Sequence, residues 1–160
     1  MPAQFLLNVF IAVLWTLISD EDELKFTTLV MGYLVGVVIV FLMHRFFGER
    51  FYLSRFFALI KMLFIFHVEL FHSSVFVIKH ILRPKIQIKP GIFKYETDLR
   101  GDWEITALAL LLTLTPGSVV MEVTPEGDAF YIHAMDVEES KVMLLRSLDK
   151  FEKAIMGVTR

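Results

Sequence analysis

Apolar and polar positions divide the 160 residues into two unlike halves. Residues 3–19 and 26–43 each run without a charge, and each is close to the shortest helix able to cross a hydrocarbon core of about 30 Å. Residues 51–83 contain no Gly or Pro and are dense in Phe, Leu, Ile and Val, yet carry Arg55, Lys61, His67, Glu69, His72, Lys79, His80 and Arg83. At 100° per residue, Ser54, Lys61, Glu69, His72, Lys79 and Arg83 fall within about 80° of one another, and most of the remaining circumference is apolar. The pattern predicts a long amphipathic helix. Wholly helical, it would extend about 50 Å, too long for one perpendicular span. It either crosses as a third span, with Lys61, Glu69 and His72 turned toward protein or water, or lies along the cytoplasmic interface with its apolar face down. Basic residues at both ends favour the interfacial or tilted placement.

Arg83-Pro84 should stop this helix, because the residue before Pro is pushed out of the α region. Lys85-Ile86-Gln87-Ile88-Lys89 then alternates like a half-exposed strand, which Pro90-Gly91 breaks and which resumes through 92–95. Asp102 can cap a helix reaching about Leu112, with Glu104 in its first turn near the positive end of the dipole. Thr115-Pro116-Gly117 ends it. Residues 119–124 and 129–134 read as strands joined by the turn Pro125-Glu126-Gly127-Asp128. Asp136 with Glu139 has the spacing of a capping box, opening an amphipathic helix whose apolar face includes Val142, Leu145, Leu148 and Ile155.

The predicted fold class is therefore a membrane protein with two N-terminal transmembrane helices (1–50), a long amphipathic or tilted third helix (51–83) and a small α+β domain (84–160) in the order strand, helix, strand, strand, helix. So small a domain is marginal alone and is expected to lean on a partner. The connection Asp20-Glu21-Asp22-Glu23 is acidic, whereas Arg45, Arg50 and Arg55 stand against Glu49 alone. Lys and Arg are retained on the cytoplasmic side, so the N-terminus and the C-terminal domain are expected there. No basic run or small-residue cleavage site marks a secretory signal. Within the second apolar run, Gly32 and Gly36 form a small-xxx-small pair that allows close approach of another helix. Trp15 and Tyr33 are candidate interface aromatics.

Composition narrows the function. Hydrophobic residues make up 56% of the chain and the net charge is -2, which provides no basic footprint for nucleic acid. With no Cys, disulfides, thiolate metal sites and Cys nucleophiles are excluded. Lys61, His67, Glu69 and His72 are the candidate ion-path or inter-subunit polar contacts, since ionisable groups in apolar helices default to such roles. The wet face of an interfacial helix accounts for three of them more simply. His67 points away from that face, where a hydrogen bond to a neighbouring protein would satisfy it. His67 and His72 lie five apart and do not share a face, so no metal site is expected there. His133 and Asp136 at a strand end suit a turn hydrogen bond better than a metal or general base. No phosphate loop, cofactor-binding motif or nucleophile pattern occurs, and no enzymatic activity or cofactor is predicted.

Several of these features together carry a resemblance. Asn8 and Trp15 in the first run, Gly32 and Gly36 in the second, Leu82-Arg83-Pro84, Pro90-Gly91-Ile92, and above all Thr113-Leu114-Thr115-Pro116-Gly117 followed by a hairpin and His133-Ala134-Met135-Asp136 resemble the MrpE/MnhE family, one of the components of the multisubunit Mrp (Mnh) cation/proton antiporters. The resemblance spans nearly the whole chain. It implies an integral component of a bacterial plasma-membrane complex that exchanges cytoplasmic sodium for external protons. Other, larger subunits would carry the ions. This one would serve assembly or coupling, with the remaining subunits and membrane lipid as partners.

Overall fold

The structure is a computed structural model that describes residues 2–19, 25–46, 51–85 and 88–160. They form two compact units, Met1–Phe56 and Phe57–Arg160. That division falls inside the third helix.

In the first unit, α1 (Pro2–Ile18) and α2 (Phe26–Met43) pair, and the 3-10 turn His44–Phe46 follows. Gly32 lies against Ala12 and Trp15, and Gly36 against Asn8, so α1 and α2 run antiparallel. A Cβ on Gly32 would stand 2.8 Å from Trp15 Cβ and 2.9 Å from the Ala12 carbonyl oxygen, while one on Gly36 would overlap Asn8 Oδ1. Both glycines are therefore contact points where only a bare backbone fits. Asn8 is wholly buried and donates from Nδ2 to Tyr52 Oη at 2.7 Å. Tyr33 Oη lies 3.1 Å from the same hydroxyl, and the Tyr52 N–H donates to Gln4 Oε1 at 2.9 Å. A polar group in apolar surroundings costs several kcal/mol unless paired, roughly 2–7 depending on the reference. This small network thus fastens the beginning of the third helix to α1. Tyr33 is turned into that network.

The third helix, α3 (Tyr52–Ile81), begins in the first unit and continues into the second. Among the described residues, two helices are long and apolar enough to cross a membrane, α2 and α3, and α1 is shorter. The outward side chains of α1 and α2, among them Leu6, Phe10, Leu17, Leu34 and Leu42, are exposed. The acidic connection 20–24 and residues 47–50 lie outside the described residues, as do 86 and 87 of the predicted strand 85–89. Lys85, Ile88 and Lys89 are not in a strand.

The second unit adds β1 (Gly91–Glu96), α4 (Asp102–Leu114), β2 (Ser118–Val123), β3 (Ala129–Ala134) and α5 (Val137–Thr159). This is the predicted order from the second half of the first strand onward. The sheet is antiparallel with β3 central, in the order β1-β3-β2, and a bulge between Val120 and Glu122 shifts the register of β2. Alternation places Phe93, Phe130 and Ile132 on its inner face, where Leu108 and Leu112 of α4 and Leu144, Leu148, Phe151 and Ile155 of α5 complete the core. The α5 positions recur at four, three and four residues, the helical period. Val142 departs from the predicted face and is exposed, because the buried stripe runs through Leu144 instead. The start of α4 differs as well. Gly101, at φ 87°, occupies the cap position, Asp102 is the first helical residue, and Glu104 reaches back to accept the Arg100 N–H at 2.8 Å.

Candidate functional site

Residues 57–81 of α3 present two opposite faces. Met62, Ile65 and Phe66 pack against the core of the α+β domain, and the same side continues through Glu69, Ser73, Val77 and His80 at three- and four-residue steps. Glu69, Ser73 and His80 are all buried. On the opposite side of the helix, Ile60, Phe64, Phe71 and Ile78 are exposed. The side that carries Glu69 and His80 thus seats the domain, and the apolar side is exposed.

Two contacts fix that seat. Glu69 Oε1 accepts from Lys150 Nζ at 2.6 Å and Oε2 from Ser147 Oγ at 2.5 Å, both from α5. Glu69 also borders a cleft of about 370 Å³ shared with His72, Val142, Arg146 and Lys150. At the far end of α3, two turns from the domain converge. Thr115 closes α4 by bonding the Leu112 carbonyl through both its N–H, at 3.0 Å, and its Oγ1, at 2.6 Å. Gly117, at φ 92°, reverses the chain, and a Cβ there would meet Val77 Cγ2 of α3 at 3.3 Å. The Gly117 carbonyl in turn accepts the Met135 N–H at 2.9 Å. In this way the runs 113–117 and 133–136, separate in sequence, share one corner of the sheet, with Ser118 opposite Ala134 and Val119 opposite His133.

The second run ends at Asp136, which is buried and caps α5 by accepting the Glu139 N–H on Oδ1 at 3.1 Å. The reciprocal half of a capping box is replaced. Glu139 turns its carboxylate to Arg83, which donates twice at 2.9 Å. That guanidinium holds the Glu139 carboxyl below its ordinary range. Beside this pair sits His80, 3% exposed, with Nε2 at 3.2 Å from Glu139 Oε2 and 3.9 Å from Asp136 Oδ2. Outside the corner, Lys89 pairs with Glu138 at 2.7 Å. Glu104 is clamped by Arg160 at 2.9 Å, with the Arg100 amide and Thr159 hydroxyl in support, and its carboxyl is lowered to about 2.

The predicted site residues do not form one constellation. Glu69 is buried and paired, whereas Lys61 and His72 are exposed, and Lys61 lines a separate cleft of about 310 Å³ with Lys150 and Lys153. His67 lies on the exposed face, and its Nδ1 is 2.7 Å from the Leu63 carbonyl of its own helix. His133 is half-buried within β3, away from the turn that Asp136 caps. The histidine that does approach Asp136 is His80, which pattern reading passed over. It lies about 70° from the centre of the predicted polar stripe. The Thr113 hydroxyl is only 3.5 Å from the Val120 N–H, and Pro116 holds the chain between Thr115 and Gly117.

Comparison with known proteins extends over nearly the whole chain. The family profile described as Na+/H+ ion antiporter subunit, MNHE, matches residues 8–158. A Staphylococcus epidermidis chain described as antiporter subunit mnhE2 is 43% identical, over 98% of this chain and 99% of that one. A Bacillus subtilis chain, the E component of a Na(+)/H(+) antiporter, is 43% identical over 100% of both. Among solved structures, a chain of the membrane-bound sulfane sulfur reductase, an archaeal respiratory membrane complex, superposes with a TM-score of 0.54 at 24% identity, covering 97% of this chain and 98% of that one. A chain of the Mrp complex from Dietzia sp. gives a TM-score of 0.45 at 26% identity, covering 64% and 96%.

Proposed function

The chain belongs to the family of Na+/H+ ion antiporter subunits, and from that premise we propose that it is an accessory subunit of a multisubunit Na+/H+ antiporter in the bacterial plasma membrane. Its task is assembly and coupling, and other subunits carry the ions. The observation that carries this reading is the use made of Glu69. Each oxygen of the buried α3 carboxylate accepts a hydrogen bond from α5, one from Lys150 and one from Ser147. These bonds hold the α+β domain to the helix, which supports a structural use of the group.

The remaining features suit the same role. The bare faces of α1, α2 and α3 match lipid and the flanks of larger membrane subunits. The Gly32 and Gly36 contacts pack α1 against α2, and the Asn8–Tyr52 network ties the start of α3 to that pair, which supports 1–50 as a transmembrane hairpin. We assign 51–83 as the connecting helix and 84–160 as a cytoplasmic domain, with the N-terminus on the same side, from the excess of Arg after α2.

The test is copurification. Tagged full-length chain, extracted from membranes in mild detergent, should bring down large polytopic subunits. Removing its gene should lower both complex abundance and sodium/proton exchange in vesicles. A monodisperse monomer from the pull-down, with exchange unchanged by the deletion, would end the proposal.

A further inference from the structure

The corner where α3 meets α5 holds side chains that the accessory role does not use. His80 is oriented through Nδ1, 2.9 Å from the Phe76 carbonyl one turn back, and its ring lies tilted at 47° against the Phe76 ring, 4.2 Å between centroids. A carbonyl only accepts, so Nδ1 carries the hydrogen and the neutral ring presents a lone pair at Nε2. That atom is buried and has no hydrogen-bond partner among the described residues. It faces Glu139 Oε2 and Asp136 Oδ2, each itself an acceptor. Two buried acceptors and the half-exposed Glu139, which Arg83 already neutralises in part, converge on one point and repel one another unless a further cation stands among them.

Each group is also held from behind. Phe76 holds the second nitrogen of His80, the Glu139 amide holds Asp136 Oδ1, and Arg83 donates to both oxygens of Glu139, sharing Oε2 with the corner. An imidazole bonded to a carbonyl and carboxylates that are themselves hydrogen-bonded make up the outer shell that orients metal ligands. One atom from each of His80, Asp136 and Glu139 lies within 4.8 Å of the others. Ligands at about 2.0–2.2 Å from a first-row ion stand roughly 3–3.5 Å apart, so a small rotation of Asp136 closes the set. One imidazole nitrogen and two carboxylate oxygens suit zinc chemistry, not the six to eight oxygens that calcium takes.

We propose that His80, Asp136 and Glu139 bind a divalent transition-metal ion of zinc-like chemistry, which clasps the end of α3 to the cap of α5. Water completes the coordination, and Arg83 orients Glu139 from outside it. A site of this kind is structural: it joins the long helix to the domain.

The test uses untagged full-length chain in detergent, stripped with EDTA and titrated with Zn2+ against a chromophoric chelator. One equivalent should bind per chain. His80→Gln, Asp136→Asn and Glu139→Gln should each weaken binding at least tenfold, since even outer-shell losses reach about 10–100-fold. Asn retains the capping acceptor and Glu139 is half-exposed, so the last two variants keep their fold if His80→Gln does not. Zn2+ should also raise the melting temperature of the native chain and not that of the variants. Substoichiometric binding, or an affinity equal in Asp136→Asn and Glu139→Gln to that of the native chain, overturns the proposal. So does stabilisation that follows pH and ignores Zn2+, which would make a proton on His80 the occupant.

Discussion

Lys150 Nζ lies 2.6 Å from Glu69 Oε1, a contact that spans 81 residues of sequence. Glu69 is 5% exposed, whereas the Lys150 side chain is half-exposed and regains water when the contact is lost. The pair therefore acts chiefly by supplying the buried carboxylate with donors.

Glu69→Gln should retain the Ser147 contact and lose the charge. The expected cost is about 1–2 kcal/mol, well below that of stranding a buried charge. Melting of the purified chain and the abundance of the assembled complex should both fall, while the pH profile of exchange per complex stays fixed. An altered profile at undiminished abundance would instead place Glu69 in an ion path.

The two glycines of α2 should respond differently to Ala. At Gly36 the added methyl meets the Asn8 side chain, so Asn8→Ala should restore part of the lost stability. At Gly32 it meets the Ala12 backbone at 2.9 Å, and no side-chain truncation relieves that contact. Each single change should cost about 1–3 kcal/mol, as overpacking does. A double-mutant cycle in detergent melts measures the difference.

The Glu104 carboxyl, lowered to about 2 chiefly by its hydrogen bond to Arg160, ties acid stability to one residue. A depressed carboxyl stabilises the fold in full above its unfolded value near 4.5, and the contribution disappears as pH falls toward 2. Arg160 is half-exposed and screened, so about 1–2 kcal/mol is expected. Glu104→Gln should flatten the stability curve between those limits and leave pH-dependent melting elsewhere parallel to that of the native chain.

Gly117→Ala places a side chain at φ 92° and 3.3 Å from Val77. Backbone strain of this kind costs about 1–3 kcal/mol. Val77→Ala in the same chain should recover little of it, because the strain lies in the dihedral and not in the contact. Amide exchange at Met135, whose N–H bonds to Gly117, should report the loosened corner.

Local order was readable where one period governs a segment. The uninterrupted apolar runs announce α1 and α2, the turn Pro125-Glu126-Gly127-Asp128 between two strand-like runs announces β2 and β3, and the three-residue spacing of Asp136 and Glu139 announces the start of α5. Two local readings failed at helix starts. Gly101 took the cap position expected of Asp102 while Glu104 bonds the Arg100 N–H ahead of it, and Arg83 took the carboxylate that a capping box reserves for its own helix. Val142 failed differently, since amphipathic period alone does not choose between adjacent stripes. The corner of His80, Asp136 and Glu139 was invisible in principle, for its members come from segments 56 residues apart and only tertiary packing joins them.

The chain order of the sheet has a consequence for synthesis. β3, the central strand, follows both neighbours, and Lys150 follows β3. At about 5–20 residues per second, a ribosome needs roughly 4–16 seconds to travel the 81 residues from Glu69 to its counterion. During that interval the nascent α3 must keep its carboxylate hydrated or at the headgroups, so the helix can settle only after the domain's own translation has come most of the way.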